Sequence, residues 1–300
     1  MKKSNILTTI MFAVVTILLI AIVALGVVTV VRNNKKKNGE AVPTGTVTTT
    51  PLPANTQQPT VAPIATSTPT PVPTATNTPT PTTVPVAKGT VCLDPGHQAK
   101  ADTSKEKVGP GAETEVEKMA NSGATNCVNG EKEYEWNLKV AKLVQAELER
   151  RGYKVVLTRS ENDVNISNRE RALVANENKA DVFVGIQTDA YSDTSVKGVY
   201  AQIAESDNPY TGSRAAENRK LADSIQKEVV NATGAKSRSV QNGSNKLAML
   251  NWADMPACIM QLGYMSNAEE AANLASEEYI NKIVKAVCDG IDAYFEGKKQ

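Results

Sequence analysis

Residues 41–87 contain no Lys, Arg, Asp or Glu and hold eleven of the chain's 15 prolines, in runs such as TSTPTPVPTATNTPTPTT. Each proline fixes φ and removes a backbone donor, and a stretch this poor in large apolar side chains cannot bury enough surface to offset the entropy of folding. No core can run through it, so the chain must fold on one side of it or the other. Polyproline-like stretches rise ~3.1 Å per residue, so the tract is expected to be a spacer reaching on the order of 100 Å. Its threonines are candidate glycosylation sites.

Before the tract, residues 11–31 form a 21-residue run without charge, rich in Val, Ile and Leu. At ~1.5 Å per residue the run matches the ~30 Å hydrocarbon layer of a bilayer. A cleaved signal peptide is the rival reading. The run is longer than the usual ~7–15-residue signal core, and no clean small-x-small cleavage site follows it. The expectation is a short tail over 1–10, a transmembrane anchor over 11–31, and a basic juxtamembrane stretch with the Pro/Thr linker over 32–88.

After the tract, apolar runs alternate with helical patterns. GTVCLDPGH, YKVVLTR, ADVFVGIQTDA, GVYAQIA, KLAMLN and PACIMQLGY read as strands. EWNLKVAKLVQAELERRG has apolar residues at Trp136, Val140, Leu143, Val144 and Leu148, a helical spacing, with Gly152 to close the helix. ISNRERALVANENKA, NRKLADSIQKEVVNATG, NAEEAANLAS and EEYINKIVKAVCDGIDAYFEG read as further helices. Strands separated by such helices imply βαβ crossovers. The fold expected over 89–297 is one α/β domain with a mostly parallel twisted sheet flanked by helices.

A formal net charge of +1 gives no global field toward polyanions, and no basic stripe is interleaved with aromatics, so nucleic acid is excluded as a partner. Cys92, Cys127, Cys258 and Cys288 show no CxxC pairing, and three lie in apolar periodic stretches, where a free thiol acts as a small apolar group. One disulfide stays open if the domain is extracellular.

Working residues of open α/β sheets gather beyond the carboxyl ends of the strands. The polar candidates there are His97 after VCLDPG, Gln187 and Asp189 in GIQTDA, and Gln261 in CIMQLGY, with Glu133 just before the first long helix. Each has a plain structural reading. His97 would be a loop histidine, Glu133 a solvated helix-start carboxylate, and the glutamines strand-end amides. Arg159 and Arg171 read as ion-pair partners before substrate contacts.

Six segments in order shift that balance: LDPGH at 93–97, EYEWNL at 133–138, LTR at 157–159, RERALVAN at 169–176, the strand ADVFVGIQTDA, and PACIMQLGYMSNAEE at 256–270. Together they resemble the zinc-dependent N-acetylmuramoyl-L-alanine amidases, which cut between glycan and stem peptide in peptidoglycan. The resemblance implies one catalytic zinc held by a His after DPG, a Glu before the NL helix and a His at a strand end, with a Glu at another strand end as general base. Those positions fall here on His97, Glu133, Gln187 and Gln261, with Glu135 as the register rival of Glu133.

Two of the four depart from the pattern. An amide oxygen is a weak zinc donor beside imidazole, and His97 is the chain's one histidine. An amide at Gln261 cannot accept a proton from bound water near neutral pH. Asp189, where the resemblance implies Asn, is the candidate substitute ligand or base, because alternate strand residues share a face.

The reading is a family member at the cell envelope that has lost hydrolysis, needs no cofactor, and acts by binding peptidoglycan or a wall or division protein. The alternative is an active amidase with Zn²⁺. Localisation is expected at the cell membrane, single-pass through the N-terminal helix, with the C-terminal domain outside the cytoplasm. Arg32, Lys35, Lys36 and Lys37 outnumber Lys2 and Lys3 across the span, which by the positive-inside rule favours the opposite orientation. The uncharged spacer and wall-type domain override that rule in this reading.

Overall fold

Strands that are apolar at nearly every position can be buried only if both faces of their sheet are covered. In the computed structural model, which describes residues 87–243 and 245–298, this is how TVCLDP, VFVGIQTD and ACIMQLGY are used. The expected anchor, juxtamembrane stretch and nearly all of the linker lie outside the described residues. Among the described residues, no helix is long and apolar enough to cross a membrane.

The chain runs β1 (Thr90–Pro95), β2 (Asp102–Lys107), β3 (Glu115–Met119), α1 (Glu133–Arg150), β4 (Lys154–Leu157), α2 (Asn168–Glu177) and β5 (Val182–Asp189). It continues through β6 (Tyr200–Ile203), α3 (Ala215–Thr233), β7 (Gln241–Asn242), α4 (Ala248–Trp252), β8 (Ala257–Tyr264), α5 (Ala268–Ala275) and α6 (Glu277–Gly297). Six strands form one sheet in the order β4-β1-β5-β8-β6-β7. The pairs are parallel except β6 with β8, so the expected mostly parallel α/β sheet is the observed one.

Parity along the strands sorts the core into two layers. Val91, Leu93, Val182, Val184, Ile186, Cys258, Met260 and Leu262 pack with α1, α3 and α6, around Trp136, Leu148, Leu221, Ile225 and Val287. Cys92, Phe183, Ala257 and Ile259 point the other way, onto α2 and α4, through Ala172, Ala175, Met249 and Leu250. By the same parity, Gln187, Gln202 and Gln261 belong to the α2/α4 side.

One expectation fails. KLAMLN does not form a strand; Ala248–Trp252 is a one-turn helix. Ala248, Met249 and Leu250 are all buried, and three consecutive apolar residues suit a short helix wedged against α2 as well as a strand. Asn251 fixes the turn by donating to the carbonyl oxygens of Val108 and Asn245, at 2.8 and 2.9 Å.

The hairpin β2–β3 carries no apolar alternation that would announce it: its strands are polar, β2 largely exposed and β3 half-buried. Its register is carried by charge: Lys105 lies opposite Glu117 and Lys107 opposite Glu115, with ion pairs of 3.2 and 3.1 Å. The Gly109-Pro110-Gly111 turn, with Gly111 at φ 71°, was the second available signal.

All four cysteines are free; Cys92, Cys258 and Cys288 are buried and Cys127 is exposed. Burial pushes the Cys288 thiol up to about 12 and the Cys92 and Cys258 thiols up as well. A native sample is expected to titrate about one thiol with an aromatic disulfide reagent and four once denatured. Since these thiols ionise in the unfolded chain first, near pH ~8.5, their contribution to stability is full below that pH. It is lost progressively as pH rises toward the folded value.

Candidate functional site

At the end of β1 the chain turns through Gly96 into His97, which takes the left-handed conformation at φ 59°. Such a backbone needs outside support in a non-glycine residue, and two buried arginines supply it. Arg171 of α2 pairs with the Asp94 carboxylate at 2.9 Å and donates to the carbonyl oxygens of Pro95 and His97, also at 2.9 Å. Arg159 donates to the carbonyl oxygens of Pro95 and Gly96, at 2.8 and 3.1 Å, and to that of Tyr134 at 2.8 Å. Burial, with the Arg171 charge beside it, pushes the Arg159 guanidinium down to about 10. Both arginines are therefore frame, gripping the loop that carries His97 and tying it to the start of α1.

Glu133 opens α1 and is buried, in contrast to a solvated helix-start carboxylate. Its Oε2 accepts from the Ala124 amide at 2.7 Å, and its Oε1 from the Thr188 amide at 3.2 Å and from Asn137 Nδ2 at 3.3 Å. Gly123, at φ 85°, is needed beneath it, because a Cβ there would lie 2.6 Å from Oε2. Glu135 faces solvent and accepts from the Lys132 amide at the helix start, so Glu133 is the carboxylate brought to the site. His97 Nε2 sits 3.5 Å from Glu133 Oε1, while Nδ1 lies 3.2 Å from the Asn121 carbonyl oxygen. An Nδ1–H donated to Asn121 leaves Nε2 turned toward the carboxylate, the orientation a metal-ligating histidine takes.

Gln187 and Gln261 end neighbouring strands in register. Gln261 Nε2 donates to Gln187 Oε1 at 3.1 Å and to Gln202 Oε1 of β6 at 3.4 Å. Gln187 packs onto the DPGH turn so closely that a Cβ on Gly96 would stand 2.3 Å from its Cγ and 2.5 Å from its Nε2. A Gly96→Ala chain is accordingly expected to displace Gln187 and lose about 1–3 kcal/mol, the usual cost of overpacking, read by denaturant unfolding.

Asp189 is held elsewhere. The ladder between β5 and β8 shifts register after Gln187, so that Asp189 pairs with Tyr264. Its Oδ2 accepts from the Tyr200 hydroxyl at 2.6 Å, and its Oδ1 from the Ala190 amide at 2.7 Å. Strand parity alone could not foresee that shift. Residues that the sequence reading did not single out complete the cleft, among them Asp94, Asn121 and Gln202. Asp94, a charge within the apolar strand TVCLDP, and Gln202, a polar residue within the apolar strand YAQI, each carried a sequence signal; Asn121 carried none.

A catalytic zinc takes three protein donors of the His, Cys, Asp or Glu kind. His97 and Glu133, 3.5 Å apart, have the chemistry for two of them. The Gln187 amide oxygen is committed to Gln261 and the Asp189 carboxylate to Tyr200. Among the described residues no three His, Cys, Asp or Glu side chains gather to hold a metal ion. The donor set present does not fit a resident zinc.

The sequence profile of the N-acetylmuramoyl-L-alanine amidases matches residues 91–293. An uncharacterised protein of Bacillus subtilis, YqiI, is 31% identical over 177 residues, which are 59% of this chain and 80% of that protein. The N-acetylmuramoyl-L-alanine amidase LytC of the same organism is 29% identical over 211 residues, 70% of this chain and 36% of LytC. Among solved structures, the catalytic domain of CwlV, an N-acetylmuramoyl-L-alanine amidase from Bacillus (Paenibacillus) polymyxa, superposes with a TM-score of 0.55 at 26% identity. That match covers 69% of this chain and 98% of CwlV's. The apo amidase of Mycobacterium abscessus gives 0.61 at 25% identity, covering 70% and 99%. With its strand-end site assembled on that fold and the profile spanning most of the folded segment, the chain belongs to the N-acetylmuramoyl-L-alanine amidase family.

Proposed function

We propose that this chain is a membrane-anchored, extracytoplasmic cell-wall protein that has kept the family's scaffold, lost its hydrolysis, and acts by binding peptidoglycan or a wall or division partner. The observation that carries the reading is the hydrogen bond between Gln187 and Gln261. By the family resemblance these positions belong to a zinc ligand and to the general base. Two amides bound to each other supply neither a third strong donor nor a proton acceptor near neutral pH. Loss of the base alone costs ~10²–10⁴ in rate, and loss of the metal removes the activated water as well.

The rest of the site keeps the shape of a binding cleft. Arg159 and Arg171 still hold the His97 turn, and Glu133 is still fully hydrogen-bonded. The cleft lies beyond the carboxyl ends of the strands. Full-length protein mixed with insoluble peptidoglycan is expected to cosediment without releasing stem peptide and without a stoichiometric metal. One equivalent of zinc, together with release that disappears in His97→Ala, would instead make the chain an active zinc-dependent amidase.

A further inference from the structure

Gln187 and Gln202 line a cleft of ≈160 Å³ with Asp94, His97, Asn121 and Met249. Gln261, buried beside them, gives the hydrogens of its one amide nitrogen to the carbonyl oxygens of both outer glutamines. Those two carbonyls are thereby turned inward and committed. What the outer side chains have left is their Nε2 groups, each a double donor. Neither nitrogen has a hydrogen-bond partner among the described residues.

The three amides sit on β5, β8 and β6, adjacent strands in one sheet, so the donors are held on rigid elements. Gln187 Nε2 is further fixed by its seat against Gly96. Neutral N–H donors repel a cation and pair with an oxygen acceptor. The Asp94 carboxylate in the same lining is already paired with Arg171, and Lys246 stands beside it in the lining, so the charges at the cleft offset one another. The acceptor that matches neutral amide donors in such a cleft is an uncharged carbonyl oxygen. At a share of ≈30 Å³ per water in the liquid, the cleft has the room of about five waters, enough for one amide group and its substituents.

Among the described residues Gln261 Oε1 is buried without a partner, a cost to the fold that the amide at this position carries.

We propose that Gln187 and Gln202, braced by Gln261, form a metal-free donor pair for the carbonyl oxygen of a neutral amide, either an acetamido group of glycan or a peptide bond. The inference rests on the peptidoglycan-binding reading and names the group recognised. The test is calorimetric titration of the full-length chain in detergent micelles, with a chelator present. One probe is an N-acetylglucosamine trimer, which offers acetamido carbonyls alone. The other is N-terminally blocked alanyl-isoglutamine, which offers peptide carbonyls.

One probe is expected to bind and to weaken about tenfold in Gln187→Leu and in Gln261→Leu, the scale of a lost neutral hydrogen bond or two; which probe binds assigns the source. Gln261→Leu removes one unsatisfied buried oxygen but also the two hydrogen bonds to Gln187 and Gln202, so its melting temperature is expected to stay within a few degrees of wild type. Gln202→Leu, at a half-buried position, gives the same readout should a buried variant fail to fold. Binding of neither probe, or affinities unchanged in the variants, overturns the proposal. Cosedimentation with insoluble peptidoglycan is read separately. If Gln187→Leu sediments like wild type and the titrations fail, the binding reading stands and the amide site falls. A wild type that does not sediment removes the peptidoglycan reading itself.

Discussion

The pair Gln187→His and Gln261→Glu, made together, is expected to bind one equivalent of zinc and to release stem peptide where the wild type does neither. His97 and Glu133 already stand 3.5 Å apart with the imidazole aimed at the carboxylate. Residue 187 lies directly over the turn that carries His97, so an imidazole there would supply the missing third donor. The two changes should contribute unequally when separated. Gln187→His alone is expected to raise metal content with little turnover, and adding Gln261→Glu to it should raise turnover by ~10²–10⁴, the usual worth of a general base. Gln261→Glu alone should gain nothing and lose stability, because it buries a carboxylate beside Gln187 and Gln202 without a cation. Metal content by elemental analysis and release of stem peptide decide the matter. Zinc and activity at wild-type level would return the search for ligand and base to Asp189.

Arg171→Met should be the most destabilising change in the frame of the site. The guanidinium is buried against the buried Asp94 carboxylate and also binds three backbone carbonyls and Gln98 Oε1. Removing one member of such a pair leaves the other charge buried and uncompensated, a loss of about 3–5 kcal/mol. For a domain of this size that is a fall of roughly 10 °C in melting temperature. Arg171→Lys should recover little, since a single ammonium cannot replace a fork that reaches five acceptors. Adding Asp94→Leu to Arg171→Met should recover part of the loss, because no charge is then stranded. A melting temperature within a degree or two of wild type for Arg171→Met would show that the loop is held by the other contacts.

Most of the element order, and the polar residues at the strand ends, were legible because they rest on short-range signals. Val91 and Leu93, or Val182, Val184 and Ile186, sit inside apolar runs bounded by turns, and only a doubly covered strand uses such a run fully. Gln187 and Gln261 stood out for the same reason, as amides at the ends of otherwise apolar strands. The hairpin was missed because its pairing is a matter of complementary charge across a turn. KLAMLN was misread because three apolar residues in a row have no period.

Composition and periodicity suffice to show that residues 41–87 cannot carry a core, that one α/β domain follows, and which residues stand at its strand ends. Which of those residues meet is a matter of the folded chain. Local patterning sets which way a side chain points from its strand, but whether two side chains touch depends on strand order, ladder register and the loops above the sheet. Register paired Gln187 with Gln261 and, one bulge later, turned Asp189 to Tyr200. Two arginines more than sixty residues beyond Asp94 in sequence fold the His97 turn toward Glu133, a contact that no local pattern encodes.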